Sequence, residues 1–279
     1  MLTLGTYQTL ELIKVRDQGA YLIDDKENEV LLPNKYLPED FEIGQTIKVF
    51  LYLDHEERIT ATTLQPYITL HSFALLKCTQ SNEVGAFLDW GLEKELFVPF
   101  KEQAVKMKSG KKYLIYLYLD EKSDRLVASS KTNKFLDNSL VLVSAWDKVD
   151  LIASHPSPHG WNMIVNQKYL GLVYEDEIFQ AISVGDQMEG WIKKVRPDGK
   201  IDLTLQQHGF RSIEPNAEQI LKELKAHGGF IDLNDKSDPE AIKEVFQLSK
   251  KSFKKAIGNL YKSRLITIDT EGIHLIEKA

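Results

Sequence analysis

Phe87 and Phe97 stand in two short runs, Gly85-Ala86-Phe87-Leu88-Asp89-Trp90-Gly91 and Glu95-Leu96-Phe97-Val98-Pro99. If Ala86 and Leu88 face a core, the period-two rule of a strand turns Phe87 outward; if Leu96 and Val98 face it, Phe97 follows. Two phenyl rings on the outer side of neighbouring strands are costly to leave in water unless something covers them. An unpaired nucleic-acid base is such a cover, because every base offers a flat π-face whatever its identity. Trp90, just past the first run, could extend the platform. The alternative is that both rings pack against a neighbouring module or a short helix.

Other reactive residue types form no recognisable centre. Of the seven histidines, only His155 and His159 lie close together. Pro156 and Pro158 between and beside them prevent the helix that would put such a pair on one face for zinc. Cys78, the single cysteine, falls inside a strand-like run and reads as a small core residue. One cysteine allows no intramolecular disulfide and no cysteine-based zinc cluster. The acidic groups Asp24-Asp25 and Glu175-Asp176-Glu177 fall in turns. There is no phosphate-binding glycine loop and no Gly-x-Ser-x-Gly. The expectation is a protein without catalytic residues, metal or cofactor.

The elements that must hold the rings are repeated. Gly19-Ala20-Tyr21-Leu22 returns as Gly85-Ala86-Phe87-Leu88, and Leu31-Leu32-Pro33 as Phe97-Val98-Pro99. Val49-Phe50-Leu51-Tyr52-Leu53-Asp54 returns as Ile115-Tyr116-Leu117-Tyr118-Leu119-Asp120, always 66 residues on. A further offset of 75 carries Gly85 to Gly160, Phe97-Val98-Pro99 to Leu172-Val173-Tyr174, and Gly110 to Gly185. A fixed offset across several blocks marks copies of one folding unit. Three modules follow, at 1–66, 67–139 and 140–209. In the second, Phe73–Cys78, Ala86–Leu88, Leu96–Val98, Tyr113–Leu119 and Arg125–Ser129 read as strands. Asp120–Asp124 is a turn, and one helical turn lies around Lys101 to Met107. Five short strands in so small a module predict a closed barrel.

The copies differ where it matters. At the positions of Phe87 and Phe97 the first module has Tyr21 and Leu31, and the third has Asn162 and Leu172. The second therefore carries the full aromatic pair, the first half of it, and the third none. Trp161 has the parity of Ala86 and reads as a structural residue. The third module instead gathers Lys193, Lys194, Arg196 and Lys200, which could contact phosphates without reading sequence. They could equally be a solvated hairpin.

Residues 210–279 match no module. Glu218–Leu224 is amphipathic, and Gly228-Gly229 stops it. Asp238-Pro239-Glu240 starts a second helix with Ile242, Val245 and Phe246 at helical spacing. Ser249 caps a third, with Phe253, Ile257, Leu260 and Tyr261 on one face. Leu265–Ile268, a turn at Asp269–Gly272 and Ile273–Ile276 form a hairpin. Three helices and a two-stranded wing predict a winged helix. Its third helix region holds Lys250, Lys251, Lys254, Lys255, Lys262 and Arg264, with no acid between residues 245 and 268. Lysines suit phosphates better than base edges, so non-specific nucleic-acid or ribosome contact fits better than operator reading. Packing of this domain against the barrels is the alternative.

Net charge is −6, which argues against coating nucleic acid by charge alone. Residues 1–139 hold 17 Lys+Arg against 21 Asp+Glu, 140–209 hold 6 against 9, and 210–279 hold 12 against 11. The start of the chain lacks a basic region before an apolar core, so no signal peptide is expected. No apolar run approaches the ~20 residues of a membrane helix, and a cytoplasmic address is the expectation.

The stretch from Gly85 to Pro99 resembles the S1-type RNA-binding domain of ribosomal proteins, a five-stranded oligonucleotide-binding (OB-fold) barrel. The resemblance implies that Phe87 and Phe97 stack bases. Arg196-Pro197-Asp198-Gly199-Lys200-Ile201-Asp202-Leu203-Thr204-Leu205 is similar to the closing hairpin of that domain. Many such barrels carry a histidine where this chain has Pro33 and Pro99. The full arrangement resembles the conserved virulence factor B family of bacterial RNA-binding regulators, over essentially the whole chain. The expected fold is mostly β with a C-terminal α+β domain: three tandem OB-fold barrels, then a winged helix. The expected partner is single-stranded RNA, bound through Phe87, Phe97, Trp90, Tyr21 and the Lys193–Lys200 cations to regulate gene expression after transcription. A DNA-binding transcription regulator acting through the winged helix, and a ribosome-associated adaptor, remain the alternatives.

Overall fold

The computed structural model describes residues 2–206, 215–262 and 265–276. The chain divides into two compact units, Met1–Leu203 and Thr204–Ala279. In the first unit, β1 (Tyr7–Arg16), β2 (Gly19–Ile23), β3 (Glu29–Pro33), β4 (Thr46–Leu53) and β5 (Ile59–Thr62) form the first module. They close into a barrel in the order β1-β2-β3-β5-β4. The second module has β6 (Phe73–Ser81), β7 (Gly85–Asp89), β8 (Leu96–Pro99), β9 (Lys112–Asp120) and β10 (Arg125–Ser129). Its sheet runs β10-β9-β6-β7-β8, the same order opened between β8 and β10. The third has β11 (Lys148–Ser157), β12 (Gly160–Val165), β13 (Tyr169–Tyr174), β14 (Gln187–Val195) and β15 (Ile201–Thr204), again a closed barrel. The helical turn expected around Lys101 to Met107 is a 3-10 turn at Phe100–Glu102. It ends early because Gln103 folds back, accepting from the backbone N–H of Met107 through its side-chain oxygen.

Each barrel interior follows the strand alternation. Ala20, Leu22, Val30 and Leu32 are buried in the first, and Ala86, Leu88, Leu96 and Val98 in the second. The fourth strands break the alternation. In β4, Val49, Phe50, Leu51 and Tyr52 are all buried. Val49 and Leu51 join the core of the first barrel, whereas Phe50 and Tyr52 join the core of the second. The same division recurs in β9: Ile115 and Leu117 face inward, and Leu114 and Tyr116 pack with Ile152 and Ile164 of the third barrel. A strand buried on both faces needs a continuous apolar run rather than alternation. That requirement accounts for Val49–Leu53 and its copy Ile115–Leu119. In β14 the burial alternates and turns polar at Lys193-Lys194.

Aromatic and ionic contacts reinforce the seams. Phe50 meets Trp90 edge-on, with centroids 5.8 Å apart, and the Trp90 indole N–H donates to the Lys94 carbonyl at 2.6 Å. Lys94 Nζ bonds the Asp54 carbonyl and Glu57, Arg125 pairs with Glu57, and Lys35 with Glu93. At the second seam Tyr116 stacks on Phe135 at 4.1 Å, and the Phe73 N–H donates to the Gln167 side chain at 2.7 Å.

The second unit contains α1 (Pro215–Ala226), β16 (Phe230–Ile231), α2 (Pro239–Phe246), α3 (Lys250–Lys262), β17 (Ile266–Ile268) and β18 (Ile273–Leu275). Asp238 caps α2 by accepting from the Glu240 N–H at 3.0 Å, with Pro239 following it, and Ser249 accepts from the Ser252 N–H at 3.1 Å to cap α3. The wing sheet has a third strand, β16, paired to β18. At two residues it is too short for any periodicity to announce it. Val245 and Tyr261, expected on the apolar faces, are 42% and 56% exposed. The stripes that face the core are Ile242/Phe246 and Phe253/Ala256/Ile257/Leu260, and Val245 and Tyr261 each lie about 100° further round.

Phe50→Ala and Trp90→Ala should each lower stability by about 3–5 kcal/mol, as for loss of a buried aromatic ring. Because the rings touch, the double variant should cost measurably less than the sum, a coupling that urea unfolding in a double-mutant cycle would read. Strict additivity would show that the seam does not join the two barrels.

Candidate nucleic-acid interface

In all three barrels the first strand carries one extra residue at the same place. Pairing of β1 with β2 skips Ile13, that of β6 with β7 skips Thr79, and that of β11 with β12 skips Ser154. A bulge leaves one residue unpaired and bends the strand, which re-aims the side chains beyond it. In the second barrel the bulged Thr79 is tied down by its hydroxyl, which donates to the Phe87 carbonyl at 2.9 Å. Past each bulge the chain resumes opposite the position of interest: Lys14 faces Tyr21, Gln80 faces Phe87, and His155 faces Asn162.

The next strand completes a row. Phe87 lies directly across from Phe97, Tyr21 from Leu31, and Asn162 from Leu172. Phe87 and Phe97 are half-buried on the outer face, with centroids 5.3 Å apart and ring planes inclined at 42°. Gly85 decides where Phe97 lies. A Cβ built there would fall 2.6 Å from Phe97 Cε2 and 2.4 Å from the Val98 carbonyl oxygen. The ring rests across bare backbone, so the pair forms a low shelf. Gln80 borders it, its amide donating to Glu95 at 2.8 Å. Beyond Gly85, Val84 and Phe100 are exposed, joined by a bond from the Phe100 N–H to the Val84 carbonyl.

The other expected contacts fare differently. Trp90 is only 3% exposed and belongs to the shared core of the first two barrels. The expectation that it extends the stacking platform is corrected: Phe50 and the Lys94 carbonyl already occupy its ring face and its N–H. Tyr21 is half-buried on the outer face, but Lys14 Nζ sits 4.9 Å over its ring and also pairs with Glu29 at 2.6 Å. A base stacking on that side would displace the ammonium. Trp161, expected to be structural, is half-buried. Its counterparts Ala20 and Ala86 are fully buried, and a space suited to a methyl group does not admit an indole.

In the third barrel the row is polar. His155 hydrogen-bonds Asn162 at 3.1 Å through Nε2 and Ser154 at 3.0 Å through Nδ1. Arg196 grips Asp202 with two nitrogens, at 3.0 and 2.9 Å, and donates to the Tyr174 hydroxyl. The Asp202 carboxylate raises the Arg196 pKa further. Lys193 pairs with Glu177 at 2.5 Å, which likewise raises its pKa, and Lys200 pairs with Asp198 at 2.9 Å. Of the four cations, Lys194 is exposed with no ion pair among the described residues. Asn162, Leu172, Tyr174 and Arg196 border a groove of about 740 Å³. Cys78 is buried, and burial pushes its thiol pKa up, away from a reactive thiolate.

On α3, Lys251, Lys254, Lys255 and Lys262 are exposed. Lys254 pairs with Asp235 at 3.4 Å, and Lys250 donates to the Lys236 carbonyl at 3.2 Å. Arg264 lies outside the described residues. No cluster of three or more histidine, cysteine, aspartate or glutamate side chains able to hold a metal occurs among the described residues, and no helix there is long and apolar enough to cross a membrane.

Two family models match the chain: an S1 domain over residues 4–64 and a CvfB-like winged helix domain over residues 218–275. Conserved virulence factor B of Staphylococcus epidermidis is 26% identical over 98% of this chain and 95% of its own length. The chain is similar to conserved virulence factor B over nearly its whole length. YitL of Bacillus subtilis, also similar, is 26% identical over 93% of this chain and 89% of its own. Among solved structures, a multidomain protein with nucleic acid binding domains from Streptococcus pneumoniae TIGR4 is 27% identical over 98% of both chains, with a TM-score of 0.45. The S1 model falls on the first barrel, whereas the complete aromatic row stands in the second.

Gly85→Ala should displace the Phe97 ring and cost about 1–3 kcal/mol, as overpacking does. Urea unfolding and the aromatic NMR shifts of Phe87 and Phe97 check this, and unchanged ring shifts would contradict the placement of Phe97 over Gly85.

Proposed function

We propose that this chain is a non-enzymatic nucleic-acid-binding protein whose second barrel holds single-stranded RNA. The observation that carries the reading is the outward Phe87–Phe97 shelf laid over Gly85. Successive bases would stack on the two rings. Such stacking tolerates any sequence, because the amides and hydroxyls that read base edges are few on this shelf. The S1 and winged-helix family matches support nucleic acid as the ligand class. Regulation of gene expression after transcription, in the cytoplasm, is part of the proposal and is in keeping with relatives named as virulence factors.

A second reading rests on α3: its exposed lysines suit duplex phosphates, as a DNA-binding regulator or a ribosome-bound adaptor would need. Lysines alone discriminate bases poorly, so RNA held on the shelf, with the lysines as auxiliary phosphate contacts, is preferred.

Full-length protein titrated with a single-stranded RNA and a duplex DNA at one salt concentration separates the readings. Phe87→Ala and Phe97→Ala should each weaken single-strand binding by about 1–3 kcal/mol, the worth of a stacked base, and leave the unfolding midpoint nearly unchanged. Full retention of affinity in both variants would leave the rings as surface packing. Tighter binding to duplex DNA, lost on replacing Lys251 and Lys262 and indifferent to the phenylalanines, would favour the regulator.

A further inference from the structure

Gly258 stands in the middle of α3, and none of the usual reasons for a glycine applies to it. Its φ is not in the left-handed region, so the freedom of glycine is unused. The helix runs unbroken from Lys250 to Lys262, so it marks no stop. Nothing lies within 4 Å of where its Cβ would stand, so no neighbouring chain needs the space. Glycine inside a helix is nonetheless destabilising relative to alanine. No contact among the described residues requires the missing side chain.

Its surroundings are cationic. Residues three and four apart are neighbours on a helix surface, so Gly258 is ringed by Lys254 and Lys255 on one side and Tyr261 and Lys262 on the other. All four are exposed, Tyr261 by 56%. Lys251 continues the row one turn earlier. The core stripe, Phe253, Ala256, Ile257 and Leu260, is on the opposite side. Together these residues make a notch floored by bare helix backbone, flanked by ammonium groups, with a phenol ring at its edge. No acid occurs between residues 245 and 268, and Asp235, from outside the helix, pairs with Lys254 at 3.4 Å.

We propose that Gly258 is the point where a phosphodiester backbone of RNA lies directly against α3. The missing side chain lets one phosphate approach the helix between Lys254 and Lys262, and Tyr261 covers the adjoining sugar or base. This rests on the nucleic-acid reading above and adds to it a contact site in the second unit. Single strands and duplexes share the phosphodiester, and the choice between them is left to the two arms of the test.

The experiment uses full-length protein with Gly258→Ala and Gly258→Leu. Each is scored by the melting of the C-terminal unit and by binding of an oligouridylate and of a mixed-sequence RNA duplex across a salt series. Alanine should raise the melting temperature by roughly 4–8 °C, since it is the better helix former and has room. Leucine should raise it less. Affinity should fall in both, on the order of tenfold for leucine, and the salt slope should shrink by about 1 as one phosphate contact is lost. Stability up with affinity down is the signature; a packing role would move both down together. A higher melting temperature with unchanged RNA binding overturns the proposal, and so does a lower melting temperature. The double variant Lys251→Ala/Lys262→Ala separates the two layers. If it weakens binding while the glycine variants do not, the helix contacts RNA and only the notch is wrong. If neither weakens binding, both fall. Loss of binding to polyglutamate but not to RNA in Gly258→Leu would assign the notch to an acidic protein instead.

Discussion

The architecture of the first unit depends on one constraint: the fourth strand of a barrel is shared. β4 and β9 each present one face to their own core and the other to the following barrel. A small five-stranded module has a poor ratio of core to surface, and sharing a strand face supplements it without lengthening the module. The cost is that the outer face can no longer be polar. Phe50, Tyr52, Leu114 and Tyr116 would be an exposed apolar band in an isolated barrel, of the kind that drives aggregation. The three modules are thus joined by packing rather than strung on linkers, and β14, which alternates and ends in lysines, closes the series.

That arrangement leaves β2 and β3 of each barrel, and their counterparts, free to differ. The bulge in the first strand is kept three times over, at Ile13, Thr79 and Ser154, and so is the cross-strand row it aims. What fills the row changes from Lys14–Tyr21–Leu31 to Gln80–Phe87–Phe97 to His155–Asn162–Leu172. One scaffold carries a cation-capped ring, an open aromatic shelf and a hydrogen-bonded polar patch. Backbone geometry is the inherited part, and side-chain chemistry is the variable part.

Much of this was legible in the residues. The parity argument placed Phe87 and Phe97 outward because alternation with period two is a local property, and a buried Ala86–Leu88 leaves the intervening ring no other direction. Trp90 was misplaced although it shares the parity of Ala86 and Leu88, which turns it inward one step past β7, where it meets Phe50, forty residues earlier. The run Val49–Leu53 was legible as a strand and as a repeat. Its unbroken hydrophobicity also announced burial on both faces, a signal that periodicity of 2 alone does not use. The pairing of Arg196 with Asp202 and of Lys193 with Glu177 was invisible, because a charge count along the chain cannot see which carboxylate folds back beside which cation.

The placement of charge then separates two kinds of contact. Around the seams and the third barrel, cations are held by carboxylates: Lys35 by Glu93, Lys94 and Arg125 by Glu57, Lys193 by Glu177, Arg196 by Asp202. A phosphate arriving there must compete with an anion already in place, and so gains little. The phenyl shelf needs no counterion, and its contribution would persist at salt concentrations that screen surface charge within about 8–10 Å. α3 itself carries no acid, although Asp235 pairs with Lys254, and its lysines would release counterions on meeting a phosphate backbone. Binding at the shelf would therefore resist salt, and binding at α3 would not. A chain of net charge −6 that bound a polyanion on those terms would not attract every polyanion it met, because the barrel part of the contact would be apolar rather than ionic.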